Sequence, residues 1–308
     1  MRYGLYPANI NNGGLLLAQV ASVAMNAGRT VHTVRPGGAL DPAANVLSMA
    51  RPVAQLATHE LDAVLAVVSL TAGYDCSAAS QLNFQKRAVG GSFTASNSTA
   101  HVTQSIANGF LHITEISASS ESESPAQCMM DFIVLSSDGS NPITDDNDAA
   151  INGQPTPAFS NVFWHGPVYL GSTQLTGCVA TRVRPGIVHQ ARIPDGAAYP
   201  IRAASSIVSR QPMIELDFIN LDHIKNRLTE TILSTFGSAV SVYFQQGTEA
   251  TGGRVAAATG THIAISAATG SWGADNIRVS DTGDATFTVQ IMPTGTLSVS
   301  RTSTIPSS

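Results

Sequence analysis

Residues 221–246 read LDHIKNRLTETILSTFGSAVSVYFQQ, and residues 61–86 read LDAVLAVVSLTAGYDCSAASQLNFQK. The two stretches align without a gap at an offset of 160 residues. Their identical or similar positions are Leu61 and Leu221, Asp62 and Asp222, Val64 and Ile224, Val68 and Leu228, Phe84 and Phe244, and Gln85 and Gln245. Few positions are identical, so an internal repeat is supported only if the flanking sequence keeps the same offset.

The flanking segments do keep step with this alignment. The similar pairs, in chain order, are Gly28–His32 with Gly186–His189, Gly90-Gly91 with Gly252-Gly253, Thr99–Thr103 with Thr261–Ala264, and Glu115–Ser117 with Asn276–Arg278. The offset stays between about 157 and 162 residues throughout. We therefore interpret the chain as two tandem copies of one domain, the first at residues 1–147 and the second at residues 148–308.

Composition is consistent with two domains that bury much of their surface. The 308 residues are enough for two cores of ordinary size. Charged residues make up 12% of the chain and apolar residues 43%, whereas a lone soluble domain usually carries about twice that charge. Low charge with small side chains favours a protein that packs against neighbours; a slightly apolar secreted domain is the alternative.

The net charge indicates whether the chain could bind nucleic acids, and the cysteines indicate the redox state of its cellular compartment. A net charge of −5 argues against a general nucleic-acid binder, although it suits a surface past which DNA slides without sticking. The three cysteines form no CxxC pair. An odd number of unclustered cysteines favours buried thiols in a reducing cytoplasm over a disulfide scaffold.

Periodicity predicts one helix and several strands in each copy. Over residues 221–236 apolar side chains recur at three- and four-residue steps, which predicts an amphipathic helix, and the repeat extends this prediction to much of 61–73. The predicted strands are Thr30–Val34, Ser80–Phe84, Ala100–Ser105, Met130–Leu135, Ala239–Phe244, Thr261–Ser266 and Thr286–Met292. The predicted fold class is mainly β (α+β), with two tandem β-sandwich or open-barrel domains that each carry one packed helix.

Two polar segments and one apolar run complete the outline. Ser117–Ser124 is predicted to be an exposed loop, and Asn141–Pro157 is predicted to be the linker between the copies. Leu15–Val23 is too short to span a bilayer and is interpreted as an early strand or buried segment, with a signal peptide as the alternative. No membrane association is expected.

The residue patterns of common catalytic and metal sites are incomplete in this chain. His59-Glu60 begins a zinc-protease motif, but Ala63 stands where the second histidine is needed. The acidic run Asp145–Asp148 offers oxygen ligands, but no glutamate closes an EF-hand loop. We therefore predict no catalytic residues, no metal site and no cofactor.

The histidines raise the possibility of a zinc site, and the tryptophans raise that of a sugar-binding site. His32 and His189 correspond in the repeat, as do His101 and His262, and structural hydrogen bonds are a better explanation than zinc because no ligand cluster surrounds them. Trp164 and Trp272 are each isolated from other aromatic clusters. An exposed tryptophan would suit sugar stacking in a lectin, whereas core packing or a subunit contact suits an isolated one.

With its predicted β-rich copies, a single mid-domain helix at 221–236 and a composition low in charge and rich in Gly, Ser, Thr and Ala, the chain resembles the tail-tube proteins of long-tailed bacteriophages. The resemblance covers both halves and is one of architecture and composition, without a signature motif. It implies a ring of six equivalent domains that share an inner β-barrel, so that three two-domain chains form a homotrimeric, pseudo-hexameric ring. Stacked rings would form a tube through which DNA passes during ejection.

The resemblance also implies partners and a location. The partners would be other copies of the chain, the tape measure, terminator and distal tail proteins, and DNA in transit. The location would be the virion tail, assembled in the bacterial host cytoplasm. Within each copy we expect the connections around Gly90, Gly91, Gly252 and Gly253 to mediate self-association between rings, with an ordinary hairpin turn as the alternative.

Three classes of function remain open at this stage. The leading hypothesis is a structural virion protein, the main tail-tube subunit. A distal-tail, hub or adaptor ring protein would share the fold, and a carbohydrate-binding adhesin module is the alternative binding function. An enzyme is not expected, because the chain shows no nucleophile, acid–base pair or metal set.

Overall fold

The computed structural model describes most of the chain, and every structural statement below concerns that part. The described ranges are 2–5, 8–29, 31–34, 37, 44–87, 92–122, 124–151, 162–219, 233–236, 238–248, 253–280 and 283–306. Within them the protein is mainly β, with antiparallel sheets and one α-helix. The predicted mainly β fold class is thus confirmed, and the division into two domains stays a prediction.

The helix and strands that precede residue 150 form the first half of the fold. They are β1 (Arg2–Leu5), β2 (Ala8–Ile10), β3 (Leu15–Leu17), β4 (Val20–Asn26), β5 (Val31–Val34), β6 (Ala44–Leu47), β7 (Val53–Thr58), α1 (Leu61–Val67), β8 (Tyr74–Cys76), β9 (Ser80–Arg87), β10 (His101–Ile106), β11 (Asn108–Ser119), β12 (Gln127–Leu135) and β13 (Ile143–Ala149).

The strands of the second half follow from residue 163. They are β14 (Phe163–Leu170), β15 (Thr173–Leu175), β16 (Cys178–Arg184), β17 (Ile187–Gln190), β18 (Ser206–Arg210), β19 (Met213–Ile219), β20 (Leu233–Phe236), β21 (Val240–Gln246), β22 (His262–Ala267), β23 (Gly270–Ser280), β24 (Gly283–Pro293) and β25 (Ser298–Ser303). A short 3₁₀ turn covers Arg202–Ala204.

Most strands pair in three sheets. A ten-stranded long sheet has the order β20-β23-β24-β19-β16-β11-β12-β7-β4, with β8 also paired to β11. A first small sheet has the order β13-β10-β9-β2-β3, with β1 on β9, and a second small sheet has the order β25-β22-β21-β14-β15. The strands β5 and β6 form a separate hairpin ladder, and so do β17 and β18.

The strand order of the first half recurs in the second. The two small sheets have the same order when each strand is replaced by its counterpart twelve strands further on. In the long sheet β23-β24-β19-β16 is joined through β16 to β11-β12-β7-β4, its counterpart in the first half. Irregular positions recur as well. A register shift at Val20/Ser22 matches one at Cys178/Ala180, and a shift at Ile113/Glu115 matches one at Ala274/Asn276.

One buried cluster runs through both halves. Side chains alternate between buried and half-buried along strands such as β19, so one face of the long sheet packs into the core and the other does not. The helix α1 adds Leu61 and Val64 to this core, and the small sheets add residues such as Leu82 and Ile263. The two copies therefore share a continuous sheet and a continuous core.

Several sequence predictions need correction here. β13 is a strand across residues 143–149, within the predicted linker 141–157, and the rest of that linker from residue 152 lies outside the described residues. Of the predicted helix at 221–236, residues 221–232 lie outside the described residues, while Leu233–Phe236 is strand β20. The predicted helix within 61–73 is confirmed only at residues 61–67. The boundary between residues 147 and 148 stays a prediction.

Two smaller corrections concern alignment and strand limits. Gly28 and Gly186 have equivalent settings, each with positive φ and in close approach to the backbone of Arg51 or Gln211. Counting onward from them without a gap makes Val31, and not the predicted His32, the counterpart of His189. The apolar run at residues 15–23 does contain strands, but it is divided into β3 and the start of β4.

Candidate assembly surfaces

The two halves of the chain meet at a strand pair that we call the internal seam. The end of β11 pairs with β16 in the register Ile116–Val183, Ser117–Arg182, Ala118–Thr181 and Ser119–Ala180. A backbone hydrogen bond of 2.7 Å from the Ser120 N–H to the Val179 carbonyl continues the pairing. The start of β11 is instead covered by β8, so only its last residues form the seam.

An ion cluster lies across the internal seam. The Arg184 guanidinium donates to Glu115 at 2.8 Å and also contacts the Glu215 carboxylate. Two residues earlier on β16, Arg182 lies 3.0 Å from Asp217, which also accepts a hydrogen bond of 2.6 Å from the Thr288 hydroxyl. The seam thus combines backbone pairing with one ion pair between its two strands, Arg184–Glu115, while the other two ion pairs link β16 to β19.

These charges belong to the face of the long sheet that turns away from the core, which we call the polar face. Along β12 and β19 the half-buried side chains, Asp131, Glu215 and Asp217 among them, alternate with buried apolar ones. Among the described side chains of the seam and its neighbouring strands, Glu115, Asp131, Glu215 and Asp217 outnumber Arg182 and Arg184. The described part of the polar face around the seam is therefore acidic.

The long sheet ends in two edges that match the strands of the internal seam. β4 pairs with β7 on one side, as β16 pairs with β19, and its exposed residues include Ser22 and Ala24. β23 pairs with β24 and, at its start, with β20, just as β11 pairs with β12 and β8. No further strand pairing is present along Ser22–Met25 or Ile277–Ser280 in the described residues.

The buried histidines of the small sheets have equivalent structural bonds. His101 is fully buried; its Nδ1 accepts from the Lys86 N–H at 3.1 Å and its Nε2 lies 2.8 Å from the Ala95 carbonyl. His262 makes the matching contacts at 3.2 Å and 2.9 Å with Gln246 and Ala256. Because Nδ1 accepts, each ring carries its proton on Nε2.

Glu60 is a buried carboxylate with a positional role. Its Oε2 accepts backbone N–H groups of Ala18 at 2.6 Å and Gln19 at 3.1 Å, and the Thr58 hydroxyl donates to the Gln19 carbonyl at 2.5 Å. These bonds fix the turn between β3 and β4. The edge strand β4 therefore starts at a defined place.

The described residues include no group of three or more His, Cys, Asp or Glu that could hold a metal ion. Burial lowers the pKa of His165 to about 4, with a smaller contribution from Arg254, so its ring is neutral at physiological pH. Burial also raises the pKa of the Cys76 thiol to about 12, which keeps it protonated. Cys76 and His165 are thus buried groups without an ionised form at physiological pH.

The predicted self-association loops are only partly described. Gly90, Gly91 and Gly252 lie outside the described residues. Gly253 is half-buried, and its carbonyl accepts from the Thr248 N–H at 2.8 Å in the connection between β21 and β22. The role of these loops in self-association stays a prediction.

Tryptophan positions bear on the lectin alternative. Trp272 is only 8% exposed and belongs to the core cluster, so its ring is not available for stacking on a sugar. Trp164 is half-buried on β14. Core packing is therefore the observed role of Trp272.

Comparisons with known proteins do not identify a relative. No protein-family model matches the chain, and no curated protein matches it significantly. No described helix is long and apolar enough to cross a membrane. The sequence repeat, in contrast, has a direct structural counterpart in the repeated strand order.

Sequence reasoning missed the seam, the polar face and the two arms described below. Each depends on which strands become neighbours, and a single sequence does not specify that. The one usable signal was the sequence repeat. When two similar halves pair through one edge strand each, the sheet ends in two strands that correspond to those at the seam.

Proposed function

We propose that this protein is a structural virion component, the tail-tube subunit of a long-tailed bacteriophage. It assembles as homotrimeric rings that stack into a tube and let DNA pass. The acidic balance, the low charge and the β-rich duplicated fold support this proposal. The proposed role involves no catalytic reaction.

The observation that carries the proposal is the internal seam together with two free edges of the same kind. β4 is the counterpart of β16, and β23 is the counterpart of β11. A strand edge with unpaired N–H and C=O groups is a template for further pairing. The contact that joins the two halves can therefore be repeated between chains, and a repeated head-to-tail contact closes into a ring when its rotation permits.

The internal seam also predicts the register between chains. Transferring its pairs onto the free edges places Ser22 opposite Ser280, Val23 opposite Val279, Ala24 opposite Arg278 and Met25 opposite Ile277. Each chain contributes two sets of four strands to the long sheet. Three chains then close a barrel of six sets without a free edge, as the resemblance to tail-tube proteins implies.

The polar face supports the role as a conduit. In the proposed ring the core-packed face of the long sheet lies outward, so the polar face lines the lumen. Its carboxylates, such as Asp131 and Glu215, would repel phosphates, and the guanidiniums of Arg182 and Arg184 are paired with carboxylates at or beside the seam. DNA in such a lumen meets few free cations and would slide without sticking.

Purified protein tests the proposal directly. We expect mass photometry to show particles of three times the 32.0 kDa chain mass, and negative-stain microscopy to show rings or stacked tubes. A variant with Ser22→Cys and Ser280→Cys, treated with a short thiol cross-linker, should give covalent dimers and trimers on a denaturing gel. A stable monomer at high concentration, without cross-linking between chains, would refute the proposal.

A further inference from the structure

The hairpin of residues 187–210, which we call the second arm, crosses the internal seam and lies on the first half. Its His189 ring stacks on Phe110 with 4.2 Å between ring centroids. Its Arg202 donates to Asp75 from Nε at 2.7 Å. The Phe110 and Asp75 side chains are supplied by β11 and β8, strands of the first half.

Backbone and apolar contacts hold the second arm in place. The Ser136 N–H donates to the Pro200 carbonyl at 2.7 Å, and the Arg202 N–H donates to the Ser136 carbonyl at 3.0 Å. Ile187 is buried with Phe110 and Leu135 in a small cluster of its own, to which Ile133 and Ile207 add. The second arm is therefore docked on the neighbouring half by packing and by directional bonds.

The first half carries a matching hairpin, residues 29–50, which we call the first arm. Both arms begin after a glycine with positive φ, Gly28 (59°) and Gly186 (64°). A Cβ at either glycine would lie about 2 Å from a backbone carbonyl, that of Arg51 or of Gln211, so both positions need glycine for the same close approach. The two arms thus leave the long sheet in the same way.

Two large apolar side chains among those that the structure describes in the first arm are exposed. Val31 is the counterpart of the stacked His189, yet it is 57% exposed. Met49 is 55% exposed. Exposed apolar side chains on a projecting hairpin indicate a surface that is covered in an assembly.

The surface that receives the second arm also has a counterpart. In the first half Arg51, Pro52, Val53 and Ile133 face the second arm across a shared groove. The equivalent Gln211, Pro212, Met213 and Met292 of the second half line an open cavity of about 660 Å³. Met292 is 41% exposed, whereas Ile133 packs against the cluster of the docked arm.

We infer that the first arm of one chain docks on the Gln211–Met213 and Met292 surface of the adjacent copy. This inference rests on the proposed ring and names the second contact that closes it. The occupant is a second copy because the same arm on the same kind of surface is already present within the chain. In the proposed ring each seam between chains is then held by two contacts, the pairing of β4 with β23 and the docking of the first arm.

Cross-linking of paired cysteines tests this docking. Val31→Cys with Ser271→Cys replaces the counterparts of His189 and Phe110, and we expect a short bis-maleimide to link chains into dimers and trimers. Val31→Cys with Thr302→Cys is the matched control, because Thr302 is exposed on β25, and it should give at least tenfold less product. The native cysteines report background in the unmodified chain.

The Ser22→Cys and Ser280→Cys pair separates this inference from the proposed function. Cross-linking in the seam pair and in the arm pair is the expected result. Seam cross-linking without arm cross-linking overturns the docking and leaves the ring intact. The absence of both overturns the ring and the docking together.

Substitution of the receiving surface gives an independent readout. Met292→Glu should leave the melting temperature of the monomer unchanged and reduce arm cross-linking at least tenfold. Ile133→Glu should lower the melting temperature instead, because that site is already covered within the chain. If Met292→Glu leaves arm cross-linking at its original level, the docking surface is wrong.

Discussion

Replacing Arg184 by methionine should destabilise the folded chain by about 2–3 kcal/mol. Arg184 serves two carboxylates whose side chains are only 16% and 12% exposed, those of Glu115 and Glu215, and is itself 36% exposed. Exposed ion pairs contribute about 0.2–1 kcal/mol, whereas breaking a buried pair costs about 3–5 kcal/mol. The Arg184 site lies between these two cases. Removing its guanidinium also leaves the carboxylates of Glu115 and Glu215 without their shared cation.

The matched control is Arg182→Met, on the same strand and face. Its single partner, Asp217, is 24% exposed and keeps its hydrogen bond from Thr288, so we expect a loss below about 1 kcal/mol. Urea denaturation of dilute protein at pH 7 and low salt would measure both variants. Adding Glu115→Gln to Arg184→Met should recover part of the loss. Equal destabilisation by the two methionine variants would refute the reasoning.

Three further predictions concern buried polar groups. Glu60→Ala should cost about 3 kcal/mol in urea denaturation, since two backbone N–H groups lose a charged acceptor, and Glu60→Gln should cost less; equal losses would contradict this. His101→Leu and His262→Leu should each cost about 2 kcal/mol by the same measurement, because both rings bridge two backbone groups, and a loss in only one would contradict the structural equivalence. The pKa of His165 is lowered, so its contribution to stability is complete above about pH 6.5 and is lost as the pH falls towards about 4. His165→Gln should therefore flatten stability against pH in that interval, and an unchanged slope would contradict it.

The internal repeat was predictable because it is carried by positions that the fold constrains. Phe84 and Phe244 occupy the same register position in the two small sheets, and His101 and His262 make the same bonds. The pair Glu115 and Asn276 follows the same register shift on β11 and β23. Core packing and buried hydrogen bonds preserve such positions, while the surface between them diverges.

Two strands, β13 and β20, could not be predicted because their residue patterns are not those of β-strands. β13 reads ITDDNDA and is exposed along most of its length, so it lacks the alternation that indicates a strand. It forms because the β10 edge offers backbone partners along most of its length, with one register shift between His101 and Thr103. β20 continues a helical spacing of apolar residues, yet it pairs with β23, and that tertiary contact overrides the local pattern.

Divisions within apolar runs were hidden for a similar reason. The run at residues 15–23 is interrupted at Ala18 and Gln19, where Glu60 accepts their N–H groups from a distant part of the chain. The predicted match of His32 with His189 required a one-residue gap, whereas both arms continue without a gap from the equivalent glycines Gly28 and Gly186. Neither a long-range carboxylate nor the close approach of a glycine to a distant backbone leaves a clear local signal.

The internal seam and the proposed seam between chains differ in chemistry, and this difference suits an assembly. At the register positions of Arg184 and Glu115 in the internal seam, the chain edges carry Asn26 and Asn276. The charged cluster is thus confined to the contact that forms once, within a chain, where no competing partner must be rejected. In the proposed ring, Arg278 is the one charged residue at the register positions given above for the contact between chains. We therefore expect this contact, which would combine backbone pairing with the arm, to depend less on salt than the internal seam does. In the proposed tube, joints with few charges would persist over a wide range of salt concentrations, and the carboxylates of the polar face would remain available to repel DNA.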